Sequence, residues 1–130
     1  MAPGRLDKAR NVWVATVRPD GRPHLVPIWF VVDDGRWYIC TAPGSVKARN
    51  LMANPQVALA LEDGDEPYRV EGRARPVSPT ASVVARFKAK YEWDITGDAY
   101  YSQLFEITVS RQVLSGQPIA QSTGDGPAGL

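Results

Sequence analysis

The stretch Ser45-Val-Lys-Ala-Arg49 has the residue types and spacing to hold an anion. It follows a strand-like run that ends at Thr41, turns at Pro43-Gly44 and restarts as a short helix. Ser45 is a favoured cap there, because its hydroxyl accepts an otherwise unpaired backbone N–H. The first turn of a helix carries free N–H groups and a partial positive charge, which suits a phosphate. Lys47 and Arg49 add two full charges beside that turn. Residues two apart do not share a helix face, so both reach one anion only near the helix end. A capped surface helix with solvated charges is the competing reading.

Other chemistry is excluded by what is missing. The chain has no phosphate loop, no G-x-G-x-x-G, no nucleophile elbow and no spaced Cys/His metal set. The single histidine, His24, lies at a strand start and reads as structural or exposed. Asp33-Asp34 is a carboxylate pair that belongs to turn chemistry rather than acid–base catalysis. Single Cys40 forms no internal disulfide and fits a reducing cytoplasm. Without a catalytic side-chain set, any redox activity rests on a bound cofactor that the protein positions.

The elements that must place these residues are mostly strands. With 130 residues, 44% of them hydrophobic and 22% charged, the composition is that of one globular domain. Neither a leader peptide nor a membrane span is expected, since the sequence has no charged-then-apolar start and no run of about 18 apolar residues. Net charge is +1, which offers no general field for nucleic acid or an acidic membrane. The charge is uneven, however. Residues 1–50 hold eight Lys/Arg against four Asp/Glu, and the remainder holds seven against ten. A short helix is expected around Leu6–Arg10, then strands over Val12–Val17, His24–Val32 and Arg36–Thr41. Asp20-Gly21 and Asp34-Gly35 supply the turns of this meander. Gln56–Leu61, Tyr68–Val77 and Gln103–Ser110 complete six strands. A second helix is expected from Ser78-Pro79, with Val83, Phe87 and Tyr91 on its buried face. Residues 1–115 form the domain, and 116–130, rich in Gly, Pro, Ser and Gln, are expected as a mobile or loosely docked tail.

The second strand is apolar on both faces, with Leu25, Pro27, Trp29 and Val31 alternating with Val26, Ile28, Phe30 and Val32. Either a second layer or a partner subunit must cover the outer face. Pro27 has no N–H to give to a ladder and marks an edge or bulge. Unpaired backbone beside Ile28 and Trp29 would seat a flat heterocycle, or the strand is simply buried with a bulge. Four tryptophans in so small a domain, together with this strand, lead us to expect a homodimer with the cleft at or near its interface.

Thr41, a short turn, then Ser-x-Lys-x-Arg-Asn-Leu-x-x-Asn-Pro and an apolar strand resembles the split-barrel flavin- and deazaflavin-binding proteins. That superfamily includes pyridoxamine 5'-phosphate oxidases and small reductases that use the deazaflavin coenzyme F420. The resemblance runs from about Val12 to Val109. It implies a mainly β fold with two or three short helices, a six-stranded antiparallel split β-barrel of Greek-key type. It also implies a cofactor site made of Pro27, Ile28, Trp29, Thr41, Ser45, Lys47, Arg49 and Asn50. Of these, Ser45, Lys47, Arg49 and Asn50 face the phosphate and Pro27 to Trp29 the ring. Pyridoxamine-phosphate oxidases carry a basic residue where this chain has Val46, and a Trp and an Arg-Leu-His-type run where it has Val113–Ile119. The pattern is closer to the F420 reductases, with FMN the alternative cofactor. The implied activity is hydride transfer to a small organic acceptor; the sequence offers no obvious proton donor, and Tyr68, Tyr91 or water could serve. The alternative is a module that holds a flavin, haem or tetrapyrrole without turnover.

Overall fold

In a computed structural model, which describes residues 4–114, seven antiparallel strands curl into a half-barrel with three helices on it. The strands are β1 (Val12–Val17), β2 (Pro23–Ile28), β3 (Val31–Asp33), β4 (Arg36–Thr41), β5 (Gln56–Leu61), β6 (Arg69–Val77) and β7 (Gln103–Val113). The helices are α1 (Arg5–Lys8), α2 (Val46–Ala53) and α3 (Ala81–Tyr91). The sheet order is β2-β1-β5-β6-β7-β4-β3. Its two outermost strands are thus consecutive in the chain, and the sheet curls until they meet at Trp29–Phe30.

That junction is where the strand count departs from six. The expected strand over His24–Val32 is two strands, broken at Trp29–Phe30 rather than at Pro27. Pro27 stays in register opposite Trp13. Side-chain alternation nevertheless continues through the break. Ile28, Phe30 and Val32 turn into the barrel interior, where they meet Val14, Trp37 and Phe105. Trp29 and Val31 point outward under α3, beside Tyr38, Phe87 and Tyr91. Leu25 and Pro27 point outward where no helix lies, and Leu25 is 59% exposed. Among the described residues, one half of the doubly apolar strand is covered by a second layer and the other half is not.

The turns follow their sequences. Asp34 and Gly35 both have positive φ, 53° and 77°, the type I′ geometry that matches strand twist. Gly72 lies at a bulge where Glu71 faces Arg111 but Gly72 faces Val109. A Cβ on Gly72 would stand 2.2 Å from the Thr108 carbonyl oxygen, so only glycine lets β6 and β7 approach there. β6 alternates as expected, with Val70 and Ala74 buried and Arg73 and Arg75 outside. Arg75 is ion-paired to Glu106 of β7 at 2.9 Å.

α3 begins two residues later than Ser78-Pro79 suggests. Thr80 is its cap, accepting from the Val83 amide at 3.2 Å. Its end closes the break between β2 and β3. The Tyr91 hydroxyl accepts from the Phe30 amide at 3.0 Å and lies 2.9 and 2.8 Å from the carbonyls of Phe30 and Arg10. Lys90 Nζ donates to Phe30 O and Leu6 O at 3.0 and 2.9 Å and sits 3.9 Å from the Phe30 ring centre. Backbone groups that left the ladder are thereby satisfied, as buried polar groups must be. β7 runs three residues past Ser110, because Arg111–Val113 pair with Arg69–Glu71. The expected tail, 116–130, lies outside the described residues.

Candidate functional site

α2 starts as its sequence requires. Ser45 Oγ accepts from the Ala48 amide at 3.2 Å, and the first intrahelical bond runs from the Arg49 amide to Ser45 O at 3.0 Å. The amides of Val46 and Lys47 precede that bond and stay outside the helix's own hydrogen-bonding. Ala48 and Leu51 anchor the helix on the barrel. A polar tie reinforces this: the buried Asn50 amide donates to the buried Thr16 hydroxyl of β1 at 3.0 Å.

This tie sets α2 beside the hairpin of β1 and β2. Arg18, Asp20 and Arg22 of the hairpin turn line an open cleft of about 440 Å³ with Val46 and Arg49. Asp20 is committed to Arg22, at 2.7 Å, and the Arg22 amide and guanidinium hold its carboxyl below the usual range. Arg18 donates to the Pro23 carbonyl at 2.7 Å. Among the described residues, neither Lys47 nor Arg49 forms an ion pair. Burial pushes the half-buried Lys47 ammonium down from its ordinary value. A cation partly removed from water with no carboxylate beside it is costly unless something anionic arrives.

His24 stands opposite Thr16 in the β1–β2 register, on the side that faces α2. It is half-buried, and its Nδ1 is enclosed with no hydrogen-bond partner among the described residues. Burial first, then the charges of Arg18 and Lys47, hold its imidazole below the usual 6.5. The candidate site therefore reaches beyond Ser45, Lys47 and Arg49, since Arg18 and Arg22 line the cleft beside α2 and His24 lies on the same side of the sheet. Arg18, Arg22 and His24 belong to its surroundings and escaped the motif because they sit more than twenty residues upstream. The signal for them was Thr16, the one polar residue on the inward face of β1.

The other expected site residues are placed differently. Thr41 is fully buried and donates to Gln103 O at 3.2 Å, and Asn50 is buried with Thr16 as partner. Their side chains support the site from within. Pro27 is exposed and Ile28 packs on the barrel core, about 10 and 13 Å respectively along β2 from His24. The Trp29 ring stacks on Tyr91 at 4.4 Å and lies 4.8 Å from the Arg10 guanidinium, so its own chain occupies it. Tyr91 is also a poor proton donor, because burial pushes its hydroxyl up to about 12 and three backbone groups engage it. Tyr68 is half-buried near Trp37. Among the described residues no group of three His, Cys, Asp or Glu is placed to hold a metal, and no helix is long and apolar enough to cross a membrane.

A strongly curled antiparallel sheet with helices packed on it defines a split-barrel architecture. The chain belongs to the pyridoxamine 5'-phosphate oxidase family, whose profile matches residues 4–118. Among solved structures, it is similar to HutZ, the haem storage protein of Vibrio cholerae, with TM-score 0.73 and 21% identity over 85% of this chain and 89% of that one. An F420 reductase is similar at TM-score 0.68 and 25% identity, over 86% and 98% of the two chains. HupZ of Group A Streptococcus matches at 0.67 and 19%, over 91% and 98%. No curated protein sequence matches the chain.

Proposed function

We propose that this protein is an oxidoreductase that transfers hydride between a deazaflavin, coenzyme F420, and a small organic acceptor, with FMN as the alternative cofactor. The observation that carries the reading is the uncompensated positive cluster at α2. Lys47 and Arg49 lack ion-pair partners among the described residues, and two helix amides stand beside them. The fit extends to the enclosed His24 Nδ1, which has no hydrogen-bond partner among the described residues. Similarity to an F420 reductase over 98% of that protein supports the choice of F420.

The chain's own residues bind and orient in this scheme. The Val46 and Lys47 amides, the Lys47 ammonium and the Arg49 guanidinium hold the phosphate. Exposed Pro27 and the backbone of Ile28 and Trp29 lie further along the edge strand, where the ring would rest. A bound deazaflavin or flavin supplies the hydride chemistry, and the protein supplies proximity and orientation. No side chain stands out as the proton donor: Tyr91 is engaged by backbone groups and Tyr68 packs beside Trp37 under Arg5, which leaves water for that role. The exposed apolar face of Trp13, Leu25 and Pro27 supports a homodimer with the cleft near its interface. A cytoplasmic location completes the reading, resting on the single unpaired Cys40 of the sequence.

Haem storage by HutZ favours a second reading, a tetrapyrrole-binding module without turnover. Cys40 is an unsuitable iron ligand there, being buried with its thiol pushed up to about 12. One experiment separates the readings. Purified protein receives F420, FMN or haem in turn under light scattering and absorbance, then reduced F420 with enones and quinones in the absence of air. Reoxidation by a dimer is expected. Tight binding with no turnover across the panel favours the module, tight FMN binding alone changes the cofactor, and a stable monomer removes the interface.

A further inference from the structure

We infer that His24 is a specificity-determining contact of the anion site at α2, donating from Nδ1 to the bound anion as an imidazolium and taking up one proton as the anion seats. This deepens the proposed function and rests on its placement of an anion at α2.

His24 lies opposite Thr16, whose hydroxyl takes the Asn50 amide, so the imidazole and α2 share one side of the sheet. Its Nδ1 is removed from water and has no partner among the described residues. A buried ring nitrogen left unpaired costs roughly 1–3 kcal/mol, so its persistence calls for a partner that arrives later. The charged groups that act on the ring are both cations, Arg18 from the hairpin turn and Lys47 from α2. Burial and these two cations disfavour the charged ring in the free protein, and no carboxylate among the described residues is recorded as acting against them. An arriving anion reverses the balance, because it neutralises Lys47 and Arg18 and offers Nδ1 an acceptor. The proton comes from solvent, and affinity becomes pH-dependent in a way that Lys47 and Arg49 alone would not make it.

His24 is the sole histidine of the sequence, so one ring C2–H resonance reports its titration without assignment. The free protein should titrate below 6.5. Saturating sodium sulfate, which does not itself titrate near neutrality, should raise the midpoint by about one unit or more, as a nearby opposite charge does. Sodium chloride at equal ionic strength should not reproduce it. FMN and F420 should act like sulfate, and the wild-type/His24→Gln affinity ratio should fall up to about tenfold per pH unit through the titration. A midpoint unmoved by sulfate, or moved equally by chloride, overturns the inference. Failure of FMN and F420 to bind at all would instead strike the cofactor reading, and the sulfate titration would still decide the role of His24.

Discussion

The two longer helices use their basic residues in opposite ways. On α3, Arg86 pairs with Asp33 at 2.9 Å and Lys90 donates to two carbonyls, while Tyr91 closes the break between β2 and β3. On α2, Lys47 and Arg49 have no ion-pair partner among the described residues. Both helices are capped by a hydroxyl and both rest on the barrel. α3 spends Arg86 and Lys90 on the fold, whereas α2 holds charge in reserve, and reserve is what a ligand site requires. Mutations in the two helices should therefore separate into effects on stability and effects on binding.

The largest expected effect lies on α3. Phe87 is fully buried between the sheet and the helix, so Phe87→Ala should cost about 3–5 kcal/mol in urea unfolding. A loss below about 1 kcal/mol would mean that α3 is an appendage. On α2, Lys47→Ala should leave the urea midpoint nearly unchanged while weakening F420 or FMN binding by about 1.5–3 kcal/mol, roughly tenfold or more. Unchanged affinity at fluorescence titration would reduce α2 to a capped structural helix and erase the contrast.

The smallest effect is a pH slope. Burial pushes the Lys90 ammonium down to about 8, against 10.5 for the ordinary side chain. Between those values the unfolded chain binds more protons, so this residue makes stability rise with pH. Cys40, raised from 9.0 to about 12, works the other way above pH 9. Comparing wild type with Lys90→Met isolates the term, and the wild type should gain relative to the variant between about pH 8 and 10. Parallel curves would show that Lys90 is as well hydrated as a surface lysine.

Much of this architecture can be read without coordinates. Val12–Val17, Arg36–Thr41 and Gln56–Leu61 occupy the spans their composition suggests, because local propensity and burial agree there. The break at Trp29–Phe30 could not be read. Apolar residues run through it on both faces, and the groups that satisfy it, Lys90 and Tyr91, are sixty residues away. The start of α3 was misplaced because Ser78 and Thr80 are both competent caps, and a local motif does not choose between them. At the candidate site, Ser45, Lys47 and Arg49 were visible as a motif, and the cleft's other arginines were not. Arg18 and Arg22 look like ordinary hairpin-turn residues until the Thr16–Asn50 tie brings α2 alongside.

The prolines of β2 have a further consequence for self-association. Alternation along a strand sends the amides of residues 23, 25 and 27 toward one edge. Pro23 and Pro27 take two of those three positions, so that row keeps a single donor, at Leu25. A strand with so few donors makes a poor template for another chain adding itself in a ladder, the route by which open sheets aggregate. The exposed Leu25 and Trp13 can still be covered from above. Whatever meets this part of the molecule is steered to stack on its face rather than to extend its sheet.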